Sequence, residues 1–169
     1  GELLDGIAAV VNEGVVLVDP GGSYRGAEAI HTLIKQVTDK PVKRVINTGG
    51  QDHRWLGNGY FKSIGAEIIA ARPALADMEA RGDMQLQALR QTIRKKAAGT
   101  RPVYPDRFFD QTEILRLGGQ EIHLLYFHGG HTPGDSMVWL PQQGVLFSGD
   151  LVYVDRMLGV LPFSSTRDW

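Results

Sequence analysis

Residues 45–58, "VINTGGQDHRWLGN", decide how this sequence is read. The stretch opens on apolar, β-branched residues like a buried strand and closes like the start of a helix. Between the two, Gly49-Gly50-Gln51-Asp52-His53 makes a turn that sets a carboxylate beside an imidazole. A polar turn at the exit of a buried strand is held firmly and can aim its side chains into a cleft. Asp52 and His53 are therefore candidate metal ligands. The plain alternative is an ordinary turn in which Asp52 caps the following helix.

The flanking sequence supplies the frame. Residues 8–12 and 15–19 are short β-rich runs about a Glu13-Gly14 turn. After "DPGGS", Ile30, Leu33, Ile34 and Val37 mark one face of a helix that Asp39-Lys40-Pro41 ends. Residues 42–47 and 67–71 read as buried strands, with a short helix over 58–65 between them. Residues 74–98 predict the longest helix, interrupted at Gly82, and 99–106 a loop. Strands follow at 111–117, 121–127, 136–140 and 145–148, joined by the turns Gly118-Gly119 and 142–144. Residues 164–169, "SSTRDW", read as a cap and the first turn of another helix. This order predicts one α/β domain over residues 1–169, mixed sheets with helices on the outside.

Composition narrows the function classes. The chain has 169 residues, 43% of them hydrophobic and 22% charged, and a net charge of −1. Such a balance provides no global field toward nucleic acid or anionic membrane. No apolar run approaches the roughly 20 residues a spanning helix needs. The absence of cysteine excludes disulfides, thiolate metal sites and Cys nucleophiles, and leaves the compartment open. The "GELLDGIAAVV" start lacks the basic residues and cleavage site of a signal peptide. The basic run "RKKAAGTR" is explained by the dipole at the end of the long helix, so no nucleic-acid partner is expected.

Two more turns carry chemistry-bearing residues: "HGGHTPGD", residues 128–135, and "FSGDLV", residues 147–152. Asp150 leaves a buried strand directly, and burying its charge without a partner would be costly. His131 sits among glycines and serves either as a ligand or as a loop anchor. Imidazole and carboxylate together suit zinc, iron or manganese. His128 reads as a loop residue, and His31 and His123 as structural.

In order and spacing, "VVLVDPGGS", "KPVKRVINT", "LGNGYFKSIGAEII", "GGHTPGDSMVWLP" and "GVLFSGDLV" resemble the metallo-β-lactamase superfamily over about residues 10–150. "GHTPGD" followed by "LFSGD" is the most specific part. The resemblance implies a four-layer αββα sandwich of two mixed sheets with helices on both outer faces, and a metal site at one edge. It also implies hydrolysis of a small ester, thioester, amide or phosphodiester by metal-bound hydroxide, a divalent ion bringing the pKa of water to about 7. Zinc is the usual metal, iron or manganese an alternative.

One departure matters. The family's His-x-His-x-Asp-His motif follows a strand ending in Asn-Thr, whereas here Asn47-Thr48 precedes Gly49-Gly50-Gln51-Asp52-His53-Arg54. A shifted alignment keeps Asp52-His53 as the Asp-His end of the motif and is preferred, because that pair is unlikely to arise there by chance. A gapless alignment puts Gly49 and Gln51 at the paired histidines, His53 at the Asp and Arg54 at the last His. The guanidinium would then substitute for a cation's charge without binding one.

The resemblance assigns His131 and Asp150 as ligands; with Asp52 and His53 they make a set for one ion rather than two. Where Asp52 does not coordinate the ion it is instead the candidate general base that orients the water, and Asp19 is a support for the site. The family's last histidine ligand lies in a region with no counterpart here, and the domain is expected to lack its C-terminal strand and helix portion. The expected function is a zinc hydrolase acting on a small molecule. The alternative is a non-catalytic relative, its metal site lost, that binds or assembles. Residues 72–77 and 158–166 are the loops that would shape a pocket, and Trp55 and Tyr153 either line it or pack into the core.

Overall fold

Two sheets face each other across a shared apolar layer. In this computed structural model the described residues are 7–169. The first sheet has the order β1-β2-β3-β4-β5, built from β1 (Ile7–Val11), β2 (Gly14–Val18), β3 (Val42–Asn47), β4 (Glu67–Ala71) and β5 (Arg107–Phe109). β1 and β2 form an antiparallel hairpin, while β2 to β5 run parallel. The second sheet, β6 (Glu113–Leu117), β7 (Gln120–Tyr126), β8 (Ser136–Leu140) and β9 (Val145–Phe147), is an antiparallel meander.

Alternation along the strands explains the layering. Val16, Val18, Ile46, Ile69, Ala71 and Phe109 face Leu115, Ile122, Leu124, Val138 and Leu140 of the second sheet. Val15, Leu17, Val45 and Ile68 turn the other way and bury α1 (Tyr24–Val37) through Ala27, Ile30 and Ile34, together with Phe61 of α3 (Asn58–Ser63). Strands buried on both faces read as continuous apolar runs, which is why β2 and β4 stand out in the sequence, and β3 does so at Val45-Ile46.

The α/β class and the two-sheet plan hold. The described α-helices gather on the first sheet, and the second sheet is wholly antiparallel rather than mixed. No helix is long and apolar enough to cross a membrane among the described residues. The reading of the first six residues lies outside the described residues.

Three local expectations are corrected. β5 lies between the loop read over 99–106 and the strand read from 111, and gives no signal of its own because a three-residue strand is too short to show alternation. Residues 72–77 belong to α4 (Arg72–Ile93), with Pro73 in its first turn, where a missing N–H costs nothing. Gly82 does not break α4. It is buried against Trp55, and a Cβ there would lie 3.1 Å from the indole, so the glycine permits close approach. Trp55 is itself core, stacked on Tyr104 at 5.5 Å and donating from Nε1 to Gln85 Oε1 at 2.8 Å.

Candidate functional site

The site grows from the C-terminal ends of β2 and β3, the edge where open α/β sheets place ligands. Asp19 ends β2 in a left-handed conformation, φ 54°, and is buried. Its carboxylate accepts from the Thr48 backbone N–H at 2.8 Å and from the Thr48 hydroxyl at 2.6 Å, tying the two strand ends together. Burial pushes its pKa up to about 6, against the pull of the Arg54 guanidinium and the Thr48 hydrogen bonds. Asn47 and Asn58 exchange side-chain hydrogen bonds at 3.0 and 2.9 Å. Asn47 also donates to the Arg54 carbonyl at 2.8 Å. The turn quoted at the outset is thus held from both sides.

Arg54 closes the centre. It lies in the helical turn α2 (Asp52–Trp55), and is 1% exposed. Nε and Nη2 donate to Asp150 Oδ2 at 3.1 and 2.6 Å, Nη1 to Asp135 Oδ1 at 2.8 Å and Thr48 Oγ1 at 3.4 Å, and Nη2 to Gln51 Oε1 at 3.2 Å. These five bonds use every N–H of the guanidinium. Burial works against its charge, but Asp135 and Asp150 outweigh that and raise its pKa. Asp135 is fully buried, and also accepts from the Thr132 hydroxyl at 2.6 Å and from the Thr132 N–H.

His53 lies beside this centre, with Nε2 3.2 Å from Asp150 Oδ2 and Nδ1 3.3 Å from Asp52 Oδ1. Burial depresses its pKa, but hydrogen bonds to Asp150 and Asp52 prevail and carry it up to about 9. His53 is therefore an imidazolium at neutral pH. Asp52 is lowered, first by the His53 hydrogen bond. Burial would raise Asp150, yet His53 and Arg54 together hold it well below the usual carboxylate range. A cleft of about 260 Å³ opens here, lined by Asp19, His53, Arg54, Leu146, Phe147 and Asp150 among others.

The structure thus places His53 between the carboxylates of Asp52 and Asp150, while His131 packs among aromatic rings. The His131 ring is 4% exposed and packs on Trp169 at 5.5 Å and Tyr153 at 6.2 Å. Ser164 Oγ donates to its backbone carbonyl at 2.8 Å, fastening the C-terminal segment over it. Its Nδ1 is buried without a hydrogen-bond partner among the described residues. A metal-ligating histidine ordinarily donates its second ring N–H to a carboxylate or carbonyl. His128 is on the surface, with φ 67°; His31 bonds Tyr60 Oη at 2.8 Å, and His123 approaches Glu121 at 3.3 Å.

The residues do not fit the metal that the fold family implies. Among the described residues no group of three or more His, Asp or Glu could hold a metal ion. Both carboxylates that face the centre are engaged by Arg54. Sequence reading missed Asp135, Thr48 and Gln51 as members of the centre. Thr132-x-x-Asp135 was visible as a turn, but nothing in it signals a counter-charge for a residue 81 positions away.

This fold and this edge site define a class of two-sheet α/β sandwich, and comparison supplies the family. The sequence profile described as the Metallo-beta-lactamase superfamily matches residues 7–166. The chain belongs to that superfamily. It is 27% identical over 165 residues to a metallo-beta-lactamase type 2 from Elizabethkingia meningoseptica, covering 95% of this chain and 57% of that protein. It is 31% identical over 68 residues to an acyl-coenzyme A thioesterase, MBLAC2, from Gallus gallus, covering 40% of this chain and 24% of that protein. A solved metallo-beta-lactamase from Pontibacter korlensis superposes with a TM-score of 0.72 at 25% identity, over 95% of this chain and 66% of that one. The metallo-beta-lactamase IND-7 superposes with a TM-score of 0.75 at 22% identity and the same coverages, a likeness of fold. The chain spans about half the length of the first of these relatives and about two thirds of the solved structures.

Proposed function

We propose that this chain is a hydrolase-type domain of the superfamily whose cleft receives a small ester, thioester or amide, and whose metal position Arg54 has taken over. Superfamily membership and relatives named as a lactamase and a thioesterase support the hydrolase-type character. The observation that carries the rest is the buried guanidinium bonded to both Asp135 and Asp150. With its five donors engaged, it leaves no vacancy at which a metal could generate hydroxide. Asp150 takes Arg54 and His53 on one oxygen, Oδ2, which leaves Oδ1 for an N–H or O–H of the ligand. Leu146 and Phe147 supply an apolar wall. The cleft then binds and orients its ligand without metal-bound water, and no nucleic acid or membrane is part of this reading.

A second reading keeps the metal. It is a single-zinc hydrolase in which Asp52, His53, His131 and Asp150 hold the ion, iron or manganese being alternatives, or in which Asp52 is not coordinated and serves instead as base. The relatives' names favour it, as does the convergence of Asp52, His53 and Asp150. One experiment separates the two: metal content and turnover of the full-length protein on β-lactam, ester and acyl-coenzyme A substrates, with and without chelator, alongside ligand titration followed at His53 by NMR. The first reading expects saturable shifts of His53, no retained metal and no chelator-sensitive turnover. Stoichiometric zinc with chelator-sensitive turnover would establish the second reading in its place.

A further inference from the structure

We infer that Arg54 and a divalent cation are mutually exclusive occupants of one cradle, and that Arg54 is the resident cation on which the buried Asp135 depends. This rests on the guanidinium-centred reading above and carries it from function to the makeup of the site.

Two glycines shape the cradle. A Cβ on Gly49 would collide with Arg54 Nη1 and lie 2.6 Å from Asp135 Oδ1. Gly149, at φ 53°, is where a Cβ would come within 2.7 Å of Thr48 Oγ1 and 3.5 Å of Arg54 Nη1. In the gapless alignment Gly49 stands where the family has its first histidine. Any side chain there is incompatible with Arg54 in its observed place, so a histidine at 49 and this arginine position exclude each other.

Charge makes the dependence specific. Asp135 is fully buried, and the only ion pair it makes among the described residues is with Arg54. A carboxylate in that position needs a counter-charge, because an uncompensated buried charge is strongly destabilising. Removing the guanidinium would leave Asp135 and Asp150, with the oxygens of Thr48 and Gln51, around a vacated centre beside His53. Oxygen-rich sets of this kind attract a divalent ion.

The test uses zinc chloride alone and the full chain. Wild-type protein incubated with zinc and desalted is expected to carry none above background, and its unfolding midpoint should ignore chelator. Arg54→Ala is expected to lower the folded-to-unfolded ratio by about a hundredfold or more, and zinc should recover part of that loss with one ion retained per chain. Should Arg54→Ala fail to fold, Arg54→Leu combined with Asp135→Asn should fold better than Arg54→Leu alone, since the pair leaves no lone charge. The inference is overturned by wild-type protein that retains stoichiometric zinc, or by Arg54→Ala that is as stable as wild type. It is equally overturned by an Asp135→Asn partner that restores nothing. None of these readouts depends on whether a small molecule binds or is hydrolysed.

Discussion

The Arg54 centre and the His131 pocket occupy neighbouring loops, and the family resemblance singles out a residue in each. They are finished in opposite ways. At Arg54 every N–H of the guanidinium has an acceptor, and the two carboxylates around it are bonded in turn. At His131 a ring nitrogen is buried with no partner among aromatic neighbours. One site is a completed network around a buried cation, whereas the other supplies no partner for a ring nitrogen among the described residues. Retention of a ligand residue is therefore weaker information than completion of its hydrogen bonds.

Several measurements can break or sharpen this contrast. The largest effect should come from Arg54→Met, which keeps much of the side-chain bulk and removes the charge. It is expected to cost about 3–5 kcal/mol in urea unfolding, as when one partner of a buried pair is lost. A cost under about 1 kcal/mol would show that Asp135 and Asp150 find other partners. At the opposite site His131→Phe replaces the ring by an apolar one of similar shape and removes the orphan nitrogen. It is expected to be neutral or to stabilise by about 1 kcal/mol; a loss of 2 or more, on the scale of a buried hydrogen bond to a charged group, would reveal a hidden partner for Nδ1.

The pH dependence follows from His53. Its folded pKa of about 9 lies above the ordinary value of 6.5, so its contribution is fully present below pH 6.5 and is lost as pH rises through about 9. The urea midpoint should fall over that window in wild type and lose this component in His53→Gln. Asp19 adds the same sign in acid: its contribution is present below pH 3.8 and is lost as pH rises through about 6. Asp150 opposes it there, because its depressed pKa yields stability above pH 3.8 that is lost as pH falls. The smallest effect belongs to Asp52→Asn. Asp52 is 44% exposed and its one ion pair among the described residues is with His53, so less than about 1 kcal/mol should be lost, together with a lower His53 titration midpoint by NMR.

What the sequence could convey follows the length and repetition of its signals. β2, β3, β4 and α1 announce themselves because apolar periodicity continues over several residues. β5 is too short to do so. The family was legible in "GHTPGD" and "LFSGD", and Asp19 as a support for the site was legible in the same way: its carboxylate holds the Thr48 backbone and hydroxyl. The centre was harder, since two alignments of the same turn differ by one residue. The preferred one rested on the improbability of a chance Asp-His pair. Yet Asp52 and His53 do meet each other and Asp150, while it is Arg54 that stands between the carboxylates, as the gapless alignment expects. Periodicity does not encode which of two adjacent side chains points inward from a single helical turn. Glycine 49 carried the missing information, because an empty position beside a long cation signals space already taken.

Gly134 has a wider bearing. A Cβ on it would run into the backbone of Ala74 in α4, so the loop that carries Asp135 is seated against that helix main chain to main chain. Such a seam has no side chain to trim or swap, and the gap across the active edge is consequently set by the scaffold rather than by its lining. A lineage working within that fixed span can exchange the plug but cannot easily retune the bore.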